Sequence, residues 1–123
     1  MKNFSMLSLM GPLLLLSSAL ATGCGGAAAP THRVTSSQAA IRGAEEVGAQ
    51  NQPQAQLHLK LAKEQLAQAQ KLIEDDENEE AEIVLMRAEA DAELAIALAK
   101  EASMQAEAVK ARDAVERLRK EGK

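Results

Sequence analysis

Tryptophan and tyrosine are missing from this sequence, and phenylalanine occurs once, at Phe4. Without aromatic rings the chain lacks the usual platform on which bases and sugar faces stack. Cysteine also occurs once, at Cys24, which excludes an intrachain disulfide. Nor is basic charge in excess: 14 Lys and Arg stand against 18 Asp and Glu, leaving no surplus to attract a phosphate backbone. Nucleic acid is therefore not an expected partner. A glycine-rich phosphate loop is lacking. His32 and His58 have no cysteine or second histidine at the spacing a zinc site requires. Ser36, Ser37 and Ser103 stand without the histidine–carboxylate partners of a hydrolase triad. These gaps predict a protein that is not an enzyme, with no catalytic residue, metal ion or cofactor.

What the chain has instead is alanine, together with a distinctive start. Lys2 and the amino terminus supply positive charge, and residues 6–20 are apolar apart from Ser8, Ser17, Ser18 and a Gly11-Pro12 break. Small residues follow at Ala21, Thr22 and Gly23. This order predicts a secretory signal peptide over residues 1–23. The apolar stretch is shorter than the roughly 20 residues a membrane-spanning helix needs. Simple secretion would leave Cys24 as an idle thiol, a reactive liability in an oxidising compartment.

The segment LATGC at residues 20–24 resembles the lipobox of bacterial lipoproteins. That resemblance implies cleavage between Gly23 and Cys24, a diacylglyceryl group on the Cys24 thiol and acylation of the new amine with a palmitate-type chain. Several acyl chains on one residue give stable anchoring, since each buried CH2 contributes about 0.8 kcal/mol. Gly25 follows the cysteine where the enterobacterial sorting rule would read aspartate as an inner-membrane signal. The implied address is the periplasmic face of the outer membrane. Residues 24–33 then read as a lipidated flexible tether, and residues 34–123 as the helical domain.

Hydrophobic spacing in that domain predicts three helices. Thr35 and Gln38 fit a capping box opening a first helix of about 14 residues, with Val34, Ile41, Ala44 and Val47 near one side. Gly48 and the polar run 50–52 end it, and Pro53 suits the first turn of the next. From Pro53 to about Glu74, Leu59, Ala62, Leu66, Ala69 and Ile73 fall on one face. A third helix runs from about Glu79 towards Glu121. Its stripe starts at Ala81, Leu85 and Ala88 and continues through Ala106 and Val109, widened by Leu94 and Leu98. The expected fold is all-α: a short first helix, then an antiparallel hairpin, similar to a tetratricopeptide unit, whose long C-terminal helix overhangs its partner. Close-packed alanines predict a thin core and modest stability.

Two charged clusters frame the long helix. The run 74–82 holds seven carboxylates, among them Asp75, Glu77 and Glu79, but lacks the turn glycine and distal glutamate of a calcium-binding loop. At the other end Lys110, Arg112, Arg117, Arg119, Lys120 and Lys123 are diluted by Asp113, Glu116 and Glu121. Both suit a helix macrodipole, with acids at the N-terminus and bases at the C-terminus.

The stretches LAKEQLAQA at residues 61–69 and AEADAELA at residues 88–95 resemble the bacterial domain of unknown function 4398. That family's members are typically short envelope lipoproteins, in some cases fused to a peptidoglycan-binding module. The Gly-Asp turn common between its helices is Asp76-Glu77 here. The expected function is a non-enzymatic outer-membrane lipoprotein, membrane-bound through Cys24, presenting its helices to an envelope protein. Alternatives are a structural tether joined to peptidoglycan through Lys123 and a periplasmic holdase. A second copy of the chain is a further candidate partner.

Overall fold

The computed structural model describes residues 26–122. The expected cleavage and lipidation residues Gly23 and Cys24, and Lys123, lie outside the described residues. Three α-helices follow one another: α1 (Thr31–Glu46), α2 (Pro53–Glu74) and α3 (Asn78–Glu121), with a short 3-10 turn at Ala49–Asn51 between α1 and α2. This is the expected all-α arrangement. Helix α2 runs antiparallel to α3, and α1 runs parallel to α3, since Ser37 meets Leu85 and Gly43 faces Ile96.

Helix α2 has the expected bounds, opening on Pro53 within its first turn. Helix α1 departs from expectation. It starts at Thr31 after Pro30, so residues 31–33, expected in the tether, are helical. Thr35 is inside the helix, where its hydroxyl donates to the Thr31 carbonyl at 3.0 Å and makes no capping box with Gln38. Tertiary contacts extend the helix past its local start signal. Val34 packs against the cluster of Ala69, Val84 and Leu85, and Arg33 reaches Glu89 at 3.4 Å and Glu82 at 3.6 Å.

The connections use left-handed backbone where reversal requires it. Gly48 after α1 has φ +78, a conformation that costs glycine nothing. Between α2 and α3, Asp76 takes φ +62 although it carries a Cβ. The Glu77 N–H donates to Leu72 O at 2.8 Å and the Asp76 N–H to Ile73 O at 3.2 Å. Those paired bonds are a Schellman ending. Asp76 thus stands where glycine is the unstrained choice.

All buried apolar residues except Ile41, Leu59, Val84 and Leu85 are alanines, among the described residues. Methyl groups as the contact layer allow helix axes to approach at the close end of the usual range of about 8–10 Å. One cluster near the α2–α3 turn gathers around Leu85; the other lies near the 3-10 turn around Ile41 and Leu59, and Leu66 packs against both. The expected stripe on α3 is buried from Ala81 to Ala99, while Ala106 and Val109 are exposed and Leu94 lies on the outer surface. Val84, absent from that stripe, is buried.

Candidate docking surface

Polar groups join the helices within the body. Ser37, fully buried, donates its hydroxyl to the Leu85 carbonyl at 3.0 Å. Ser36 Oγ lies 3.1 Å from Glu89 Oε2, so both α1 serines are occupied with α3. His58 Nδ1 is 2.8 Å from Asp91 Oδ1, and Gln65 Nε2 donates to Asp91 Oδ2 at 2.8 Å. Asp91 therefore holds two positions of α2 one above the other, fixing the hairpin register. The Lys63–Glu45 ion pair ties α2 to α1. Sequence spacing could not pair His58 with Asp91, because they lie on different helices.

The acidic run is solvent-facing. Asp75, Asp76, Glu77, Glu79 and Glu80 are all exposed. Glu79 and Glu80 lie in the first turn of α3, with Arg119 and Lys120 in its last turn, the placement the helix dipole favours. Among the described residues no group of three or more His, Cys, Asp or Glu is placed to hold a metal ion. No described helix is long and apolar enough to cross a membrane.

Helix α3 outruns its partners. Pro53, at the start of α2, lies beside Leu98 and Ala102. Beyond that level, residues 103–121 remain helical and every one except Ala114 is exposed. At about 1.5 Å per residue the projecting end is roughly 28 Å long. It carries Met104, Val109, Val115 and Leu118, with Leu118 68% exposed. Alanine, lysine, arginine and glutamate provide good helix propensity, yet an isolated helix of this length is marginal in water. A projecting apolar-bearing helix of this kind is suited to docking against another helix.

The two ends of the body are distinct. Asn78, opening α3, donates its side-chain amide to the Ala27 carbonyl at 2.7 Å. Ala27 therefore sits at the α2–α3 turn, and the projecting end of α3 lies at the opposite pole. Since α3 has 44 residues, the poles are about 66 Å apart.

No curated protein and no solved structure matches the chain. The family model described as domain of unknown function (DUF4398) matches residues 32–111. The matched span takes in α1, α2 and α3 as far as Ala111, leaving the basic tip of α3 outside it. The turn residue Asp76, with its left-handed backbone, falls within the span. With most of the sequence matched, the chain belongs to the DUF4398 family.

Proposed function

We propose that this protein is a non-enzymatic lipoprotein on the periplasmic face of the outer membrane, anchored through acylated Cys24, that docks an envelope partner along the projecting end of α3. The lipobox-like LATGC segment supports the anchor. The observation that carries the docking role is the polarity of the body. The chain enters at the α2–α3 turn beside Ala27, and the exposed part of α3 extends from the far pole. An anchor just before Ala27 would hold the turn near the lipid and direct residues 103–121 away from it. Residues 24–30 serve as the tether, shorter than expected because α1 begins at Thr31.

Photo-crosslinking in the native envelope tests the proposal. A photoreactive residue at exposed positions 104, 115 or 118 is expected to give discrete adducts, and one at Lys60, on the outer face of α2, is not. Adducts only from Lys60, or none at any position, would refute docking through α3.

A further inference from the structure

The exposed surface of α3 carries a second apolar line, separate from the stripe buried in the body. Met104, Ala108, Ala111, Val115 and Leu118 alternate steps of four and three residues. All five are exposed, with Met104 at 62%, Val115 at 60% and Leu118 at 68%. Steps of this kind are the a and d seats of a coiled coil, with Met104, Ala111 and Leu118 at d and Ala108 and Val115 at a. The same register continues into the body through Ile83, Ala90, Leu94 and Ala97, each exposed. Arg87 and Glu101 occupy the remaining a seats, where a parallel partner would set like charges together, so the apolar seam is unbroken only from Met104 to Leu118. The buried stripe behaves differently. It leaves the core at Ala102 and passes through Ala106 and Val109, and its next positions are Asp113 and Glu116. Charge therefore closes the inner face of the projecting end while the outer face stays apolar to Leu118.

The body leaves this outer face open. Helix α1 meets α3 through Glu82, Glu89 and Ile96, and α2 meets it through Asp91 and Leu98. None of these occupies an a or d seat.

We propose that a second copy of this chain covers the seam from Met104 to Leu118, forming a parallel two-stranded coiled coil along the projecting end of α3. The flanking charges select both the occupant and its direction. In a parallel pair, each g residue faces the e residue five positions on in the partner. Glu107 at g then faces Arg112 at e, and the twofold axis repeats this attraction. Ala114 faces Arg119, and Lys100 faces Gln105, so no like charges meet along the projecting end. An antiparallel pair sets e against e and g against g. Arg112 and Arg119 would then share one flank, and Glu107 and Glu121 the other, which is repulsive. Glu107 and Arg112 are five residues apart and so do not pair within one helix, where three or four residues separate neighbours. This pairing rests on the proposed docking role of α3, and it also lets two copies anchored in one membrane lie side by side.

Disulfide scanning of the full chain in its native envelope tests the pairing. Val115→Cys and Leu118→Cys are expected to give disulfide-linked dimers on mild oxidation. Asp113→Cys, on the opposite face, is expected to give none, matching the background of the unaltered chain with Cys24 alone. In the Val115→Cys background, Glu107→Arg should lower the dimer on the order of tenfold by replacing two attractions with two repulsions. Adding Arg112→Glu should restore it, since the pair is then reversed but intact. Equal linkage at positions 113 and 115, or no rescue by the double reversal, would overturn the parallel seam. Photo-adducts from position 118 that contain a different protein and never a second copy would overturn the dimer while leaving the docking role standing. Absence of any adduct would remove both.

Discussion

Leu85 is the largest fully buried side chain among the described residues, and most of its neighbours in the α3 stripe are alanines. Leu85 sits at the centre of a cluster on which Val34, Leu66, Leu72 and Ile73 converge, so Leu85→Ala opens a cavity where the three helices meet. The expected loss is about 3 kcal/mol, a large share of a small domain's stability. Leu118→Ala, by contrast, removes an exposed side chain and should change the intrinsic stability of the body by less than about 0.5 kcal/mol. Urea denaturation followed by circular dichroism, in dilute solution, separates the two. Asp76 is a residue of the opposite kind, one whose removal should help. Its left-handed φ of +62 carries a steric cost that glycine avoids. Asp76→Gly should therefore raise stability by about 0.5–1 kcal/mol, and a valine there should lower it. If both substitutions shift the urea midpoint in the same direction, the strained-turn account fails.

At the scale of the elements, α2 was fully legible because its apolar residues stand out against glutamine and lysine, and Pro53 marks its start. Helix α3 was legible in extent but only half so in its faces. Alanine occurs around much of its circumference, so the periodic line from Ala81 to Val109 masks a second line ending at Leu118. Only burial separates the two, because residues 81–99 of the first line are covered and the second stays exposed. The start of α1 was misplaced because Thr35 and Gln38 imitate a local signal that the contacts of Arg33, Val34 and Ser37 override. The Asp91 cluster was invisible for a related reason, since hydrogen bonds between helices leave no spacing to read. The projecting end makes a dynamic prediction. In dilute protein, amides of residues 103–121 should exchange with solvent far faster than those of residues 81–99, which pack against two helices. Raising the protein concentration should slow exchange in residues 103–121 if the seam is covered by a second copy. Uniform protection along α3 in the dilute chain would show that its end has stability of its own.

Across the whole molecule, three helices make a body with an entry pole and a projecting pole. The entry pole holds Ala27, the α2–α3 turn and the acidic run, and the other carries the exposed end of α3. Acid at one end and base at the other complement the dipole of a single continuous helix, so one sequence device serves both stability and polarity. The proposed anchor at the entry pole would turn this shape into a device that presents a helix at a distance from lipid. Without an anchor, the direction in which α3 points would carry no consequence. The intact mass of the mature chain extracted from membranes tests this most directly. The account predicts a polypeptide beginning at Cys24, heavier than its sequence by a diacylglyceryl group and an amide-linked acyl chain. A bare Cys24 thiol, or a chain still carrying residues 1–23, would contradict it.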